Sequence, residues 1–241
     1  MDKTSVPIIF SVVVPAHNEA ENLKVLLPRL MEALKPLESV EVLLVDNASS
    51  DATPAVVADF QKKHPSIRRI AEPTLGYGRA VLAGLRESSG TYIGTIRADN
   101  QEKSEDLVRM LHAIAEGSVD LYKAVRLTRT NDGLKRIIIS LVFNFLFQHL
   151  FGLTSRDLNA SPKVFTRRFY EAVQLESLDW FIDAEMVIKA EKLGFTVREV
   201  EIEYLPRLKG KSTVRMRHLF EFLGNMVRWH ARLRHGKLLE Q

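Results

Sequence analysis

The sequence predicts an α/β fold built on a mostly parallel sheet, and two observations carry that prediction. Apolar runs of strand length alternate with stretches whose apolar residues recur at helical spacing, from about residue 8 to residue 125. The first two apolar runs also stop abruptly at polar residues, in V-V-V-P-A-H-N-E at 12–19 and E-V-L-L-V-D-N-A-S-S-D at 41–51. Strands joined by helices pair in parallel through right-handed crossovers. Ligands of such sheets bind just beyond the carboxyl ends of the strands, so two polar strand ends a helix apart describe half of a nucleotide site.

The elements follow in order. Residues 8–14 read as the first strand. Residues 19–34 form a helix with Leu23, Leu26, Leu27, Leu30 and Leu34 on one face, and 40–45 are the second strand. Asp51 and Thr53 look like N-cap residues, with Pro54 at the first helical position. A short third strand at 67–70 leads through Leu75, Gly76, Tyr77 and Gly78 into a helix at 79–88, and the fourth strand is 92–96. Ser104 caps a helix running to 115, before a fifth strand at 121–125. The second half differs. Residues 137–151 are nearly all apolar, 181–192 are helical, 196–202 alternate like a strand, and 214–234 make a long terminal helix. No repeat, low-complexity tract or linker interrupts the chain. One domain over 1–213, with an apolar helix at 137–152 inside it, is followed by a basic amphipathic helix at 214–241.

The 241 residues, 46% hydrophobic and 27% charged, suit one folded α/β domain. The chain has no cysteine, which excludes a disulfide framework and a thiolate metal site and fits a cytoplasmic protein. Residues 1–11 lack the basic-then-apolar pattern of a signal peptide. The net charge of +4 hides an asymmetry. From Arg207 onward nine basic residues face two acidic ones, giving +7 there and −3 in the body. A basic tail on a mildly acidic body implies an anionic partner. Nucleic acid is not the expected one, because the tail's aromatics fall in an amphipathic pattern rather than on a basic stacking face.

V-P-A-H-N-E at 14–19 and L-V-D-N-A-S-S-D at 44–51 resemble the opening of family 2 glycosyltransferases, in particular the dolichol- or polyprenyl-phosphate mannose synthases. Those chains carry V-P-x-x-N-E and then V-V-D-D-x-S-x-D. Asn47 stands where the second Asp of that segment is usual. The resemblance runs from about Ser11 to Ser212. It implies a GT-A fold, a Rossmann-like nucleotide-binding sandwich on a mixed, mostly parallel sheet. It also implies inverting transfer of a sugar from a nucleoside-diphosphate sugar to a polyprenyl-phosphate-type acceptor. Pro15, His17, Asn18, Glu19 and Asp46 would line the nucleotide pocket. Taken singly, Asn18 and Asp46 also suit an Asx-turn or a helix cap. Gly76, Tyr77, Gly78, Arg79, Ala80 and Gly84 resemble a G-x-G-x-A…G stretch whose glycines would let backbone amides approach a ligand.

R-A-D-N-Q at 97–101 falls where the family carries D-x-D, the carboxylates that hold Mg2+ or Mn2+ against the donor diphosphate. Asp99 and Gln101 match as metal ligands, while Arg97 replaces the first Asp. A hard cation wants oxygen ligands, so either Asp99, Gln101 and diphosphate hold it, or the Arg97 guanidinium does part of its electrostatic work. A polar loop with an Arg97–Asp99 surface pair is the plainer alternative. Arg126 falls on the family's G-S-R, and Arg207 and Lys211 on its R-x-x-G-K-S loop, where they would hold phosphates. Lys135, Arg136 and Lys209 are further cations of the same kind. Asp157 matches the start of D-x-x-S-G-F, although the following residues differ. Asp183 and Glu185 match F-x-x-E. Asp183 would be a general base for a hydroxyl acceptor, or both acids would merely complement a helix N-terminus.

Two helices point to a membrane face. In 137–151, Arg136, Ser140, Asn144 and Gln148 form a narrow polar stripe on an otherwise apolar helix. That run is too short to span a bilayer but suits the interface, with Phe143, Phe147 and Leu150 inserted. The terminal helix aligns Met216, Leu219, Phe220, Leu223, Met226, Val227 and Leu233 on one face, with basic residues at both ends and Trp229 available for the interface. A core helix or a homodimer seam explains the first pattern as well, and docking on the sheet explains the second. A soluble acceptor, or a non-catalytic nucleotide- or nucleic-acid-binding protein, remains open beside the lipid-phosphate transferase.

Overall fold

Consecutive valines in the first strand already require helices on both faces of a sheet, because successive side chains of a strand point to opposite sides. The computed structural model describes residues 9–127, 134–206 and 216–235, with the backbone alone at 134–141, 143 and 216–220. Its strands are β1 (Phe10–Ala16), β2 (Val40–Asn47), β3 (Ile67–Glu72), β4 (Tyr92–Thr95), β5 (Leu121–Arg126), β6 (Lys163–Thr166) and β7 (Val197–Ile202). Its helices are α1 (Ala20–Leu34), α2 (Thr53–Lys63), α3 (Tyr77–Glu87), α4 (Ser104–Glu116), α5 (Leu134–Phe151), α6 (Arg167–Val173), α7 (Ile182–Lys192) and α8 (Met216–Arg234). The sheet is seven-stranded in the order β3-β2-β1-β4-β6-β5-β7. Only β6 runs antiparallel to its neighbours β4 and β5; the remaining pairs are parallel.

Val12 and Val14 of β1, with Val42 and Leu44 of β2, face α1, α2 and α4. Val13, Leu43 and Val45 face α3, α6 and α7. The predicted leucine stripe of α1 is fully buried on the first of these faces. Each such side chain removed from water stabilises the fold by about 1.5–3 kcal/mol. Pro15 lies within a central strand without leaving a gap in the ladder. Val13 O accepts from Ile96 N, so Pro15 faces the same side two residues later. The β1–β4 pairing ends at Val13 and Thr95, so no partner there asks for the missing N–H.

The structure corrects several local expectations. β6 and α6 were not foreseen, since β6 has four residues and begins at a buried lysine. Ser104 is the first residue of α4 rather than its cap; the N-cap is Lys103, with no side-chain bond. Ala52 is the N-cap of α2. Asp51 instead ties two helix starts together, accepting from Thr53 N at 2.9 Å and Ala20 N at 3.2 Å.

The apolar helix and the terminal helix build a satellite core with α7. Phe147 is buried against Phe151, Phe181 and Phe222, with ring centroids 5.3, 5.8 and 5.4 Å away. It therefore does not insert into a membrane as expected. Trp229 is buried beside Phe181 and packed under Lys189 and Arg232, so it too is unavailable to an interface. An amphipathic stripe looks the same in sequence whether protein or lipid covers it. Leu150, Leu223 and Leu233 pack at the edge of this core, and Phe145, Val142 and Val227 are exposed. Phe143, Met216, Leu219 and Phe220 lie outside the described side chains. Among the described residues no helix is long and apolar enough to cross a membrane.

Candidate active site

The carboxyl ends of β1, β2 and β4 meet at one edge of the sheet. The parallel register sets Ala16 beside Asp46, which brings the turn after β1 against the loop after β2. Asn18 turns the chain with a left-handed backbone, φ 55°, and its Oδ1 accepts from Ser50 N at 2.8 Å and Asp51 N at 3.2 Å. Asparagine tolerates this conformation better than most residues. His17 Nδ1 lies 2.7 Å from the Asn47 carbonyl and Nε2 lies 3.2 Å from Asn18 Nδ2. The ring thereby bridges the loop after β2 and the Asn18 amide. Glu19 N donates to Thr53 Oγ1 at 2.9 Å, and Pro15 completes this edge. The Asx-type bonding of Asn18 and the clustering of the motif residues thus hold together.

Asp46 is buried and paired with Arg69 of β3 at 2.7 Å. It also accepts from Ser49 N at 3.3 Å. Asn47 explains its own departure from a carboxylate. Its Oδ1 accepts from Gly76 N at 2.8 Å, while Nδ2 donates to the carbonyls of Thr74 at 2.7 Å and Glu72 at 3.3 Å. A carboxylate there could accept but not donate. The glycines beyond it serve a different end from the one expected. A Cβ at Gly78 would stand 2.3 Å from Ser177 O, and one at Gly76 would stand 2.7 Å from Leu178 O. The close approach is by the loop before α7, locked further by Arg79 N donating to Leu178 O and by Tyr77 stacked on Trp180 at 4.3 Å.

After β4 the chain forms a charged knot. Glu102, with no exposed side chain, accepts from Arg97 Nε at 2.7 Å and from Arg97 N at 3.0 Å, and its Oε1 lies 2.5 Å from Arg97 Nη2. Arg97 Nη2 also donates to Tyr204 Oη at 2.7 Å. The plainer alternative, an Arg97–Asp99 surface pair, gives way to an Arg97–Glu102 pair whose carboxylate is fully buried. Burial disfavours the Arg97 charge, but Glu102, Tyr204 and Asp99 outweigh it and hold the guanidinium pKa well above its usual value. Burial raises the Glu102 carboxyl, with Arg97 opposing. Tyr204 Oη further donates to Ser161 O at 2.7 Å and accepts from Ser161 N at 2.9 Å. Its ring lies between two guanidiniums, Arg97 at 5.5 Å and Arg126 at 5.4 Å from the centroid. Arg126 forks onto Asp157, at 2.8 Å from Nε and 2.7 Å from Nη2. Asp99 is buried and accepts from Gln101 N at 3.3 Å. Gln101 pairs with Leu205 through its backbone oxygen at 2.8 Å.

Asp183 and Glu185 do more than complement a helix start. Asp183 pairs with the fully buried Lys163 at 2.5 Å. Glu185 accepts from Glu176 N at 2.9 Å and Ser177 N at 2.7 Å and pairs with Lys189 at 2.9 Å, fixing the loop that fills the glycine turn. Sequence reading missed Glu102, Tyr204, Lys163 and Arg69. A lysine beginning an apolar K-V-F stretch was the one available signal for Lys163. Arg207, Lys211, Lys209, Lys135 and Arg136 lie outside the described residues or side chains.

The profile of Glycosyl transferase family 2 matches residues 11–174, from β1 through α6. The chain belongs to this family. An undecaprenyl-phosphate 4-deoxy-4-formamido-L-arabinose transferase of Yersinia pestis is 28% identical over 221 residues, 90% of this chain and 66% of that one. The chain thus spans slightly under two thirds of that relative. Among solved structures, glucosyl-3-phosphoglycerate synthase of Mycobacterium tuberculosis with Mn2+, UDP-glucose and phosphoglyceric acid superposes with a TM-score of 0.68 at 16% identity, over 96% of this chain and 80% of that one. A mannosyltransferase of Pyrobaculum calidifontis with GDP-mannose and Mn2+ gives 0.62 at 20% identity, over 94% and 66%. The fold of this family 2 member is therefore GT-A, as expected.

Those two structures carry Mn2+, which makes the donor set here a direct question. Among the described residues no three His, Cys, Asp or Glu side chains gather to hold a metal ion. Glu102 and Asp157 already bind guanidiniums. A hard cation is held by one or two carboxylates together with phosphate oxygens and water, so the protein donors in question here are Asp99 and Gln101.

Proposed function

We propose that this family 2 member is an inverting glycosyltransferase that moves a sugar from a nucleoside-diphosphate sugar to a polyprenyl-phosphate-type acceptor at a cytoplasmic membrane face. The observation that carries the donor half is the joined edge of β1, β2 and β4, where each strand of the family-matched segment ends in motif residues. Asp46, braced by Arg69, meets the nucleoside, and Pro15, His17, Asn18 and Glu19 shape the same pocket. Arg97 and Arg126 face the diphosphate, with Arg207 and Lys211 as further phosphate contacts. Basic groups aimed at charge that develops on a leaving group are a principal source of rate enhancement. In one displacement, an acceptor phosphate oxygen bonds to the anomeric carbon as the bond to the donor diphosphate breaks, and the nucleoside diphosphate leaves with the electron pair. A phosphate acceptor is already ionised, so no base is needed. Asp183, tied to Lys163, then positions α7 rather than removing a proton.

The acceptor half draws support from the relative acting on undecaprenyl phosphate, the basic tail, and exposed Phe145, Val142 and Val227 on the α5–α8 unit. A nucleotide screen by thermal shift tests the donor half. Ligand at a hundred times its dissociation constant stabilises by about 2.7 kcal/mol, or about 5–10 °C for a chain of this size. Asp46→Ala should remove the shift while the protein still melts cooperatively. The same shift in Asp46→Ala for every nucleoside diphosphate would defeat the assignment.

A further inference from the structure

We propose that Arg97 takes the place of a protein-held divalent cation in this chain, with Glu102 and Tyr204 as positioning residues that aim its guanidinium at a nucleoside diphosphate. This rests on the donor reading above.

Arg97 is the second residue past β4, on the edge where Ile96 N still bonds to Val13 O of β1. One carboxylate fixes it twice over. Glu102 Oε2 holds the Arg97 backbone and Oε1 holds Nε and Nη2, so the loop and the guanidinium plane are set together. Tyr204 Oη holds Nη2 from another side and is itself anchored at both N and O of Ser161. Among the described residues Nη1 makes no hydrogen bond, and the side chain keeps 21% exposure while Glu102 has none. Glu102 and Tyr204 therefore occupy Nε and Nη2, and Nη1 is left as the donor for a ligand. A guanidinium stays charged at every working pH, and its remaining N–H groups can donate charge-assisted bonds to phosphate oxygens. Arg126 lies across the Tyr204 ring and is held by Asp157. A divalent cation at the same spot would sit against the fixed positive charge of Arg97, with Glu102 and Asp157 both engaged by guanidiniums.

The test is calorimetric titration of the full chain with UDP and with GDP, in EDTA and in excess Mn2+. The bound nucleotide should have an affinity in EDTA within about threefold of that in Mn2+. Arg97→Gln, which keeps an amide against Glu102 but loses the charge, should weaken binding at least about tenfold, as expected for losing a charged hydrogen bond. Its far-ultraviolet circular dichroism and cooperative melt should persist. Arg97→Asp, which sets a second carboxylate beside Asp99, should make binding depend on Mn2+; if that variant does not fold, Arg97→Gln decides. Wild-type binding lost in EDTA, or unchanged affinity in Arg97→Gln, overturns the role of Arg97 and leaves the donor reading standing. Binding of neither nucleotide in either condition overturns both.

Discussion

Replacing Asp183 by asparagine separates a structural carboxylate from a catalytic one. Asp183 Oδ1 lies 2.5 Å from Lys163 Nζ, and the two side chains are 9% and 0% exposed. Lys163 also donates to Ala160 O at 2.8 Å, which does not neutralise its charge. Removing one partner of a buried pair leaves the other charge uncompensated and costs about 3–5 kcal/mol. A chain of this size loses about 2–4 °C of melting temperature per kcal/mol, so Asp183→Asn should melt about 6–20 °C lower. The double change Lys163→Met with Asp183→Leu should recover most of the loss, because apolar replacement of a whole buried pair is often neutral or better. Scanning calorimetry of the wild type and both variants reads this directly. A melt within about 1 kcal/mol of wild type for Asp183→Asn would refute the buried-pair argument. A stable Asp183→Asn that loses turnover would instead return Asp183 to the role of general base.

Burial lowers the Lys123 pKa from 10.5 to about 8, with Glu199 opposing and Lys163 adding to the shift. The unfolded chain then holds more protons, so this group's destabilisation is full below about pH 8 and is relieved up to about pH 10.5. Lys123→Met should remove that slope, about 3 kcal/mol at most, from urea melts run across the window; an unchanged slope would refute it. Gly78→Ala should destabilise by about 1–3 kcal/mol and loosen the 175–181 loop, since its Cβ would meet Ser177 O at 2.3 Å. Wild-type protease resistance in that variant would contradict this. Phe145→Glu should reduce sedimentation with anionic vesicles without changing the melt, because Phe145 is 58% exposed. Phe147→Ala should cost about 3–5 kcal/mol in the core. Equal vesicle binding by wild type and Phe145→Glu would remove that face from the membrane account.

The leucine stripe of α1 and the polar ends of β1 and β2 were legible because local spacing alone dictates them. What stayed hidden depends on contacts between distant segments. The antiparallel strand β6 is four residues long, and nothing in K-V-F-T says that it slots between β4 and β5. Glu102 lies five residues from Arg97 in a loop, where no periodicity pairs them, and Tyr204 arrives from beyond β7. The glycines at 76 and 78 advertised close approach correctly, yet a glycine does not say whether ligand or backbone occupies the space. Phe147 and Trp229 were misread for a similar reason, since an apolar face does not name its cover.

The central claim is sugar transfer to a lipid phosphate, and one measurement meets it most directly. The full chain is incubated with a panel of UDP- and GDP-sugars and with anionic vesicles containing undecaprenyl phosphate, and the extracted lipid is weighed by mass spectrometry. One donor should yield lipid heavier by a single glycosyl unit, with the matching nucleoside diphosphate released in equal amount and no product from Asp46→Ala. Unmodified lipid across the panel, with transfer of the same sugar to a water-soluble acceptor, would contradict it.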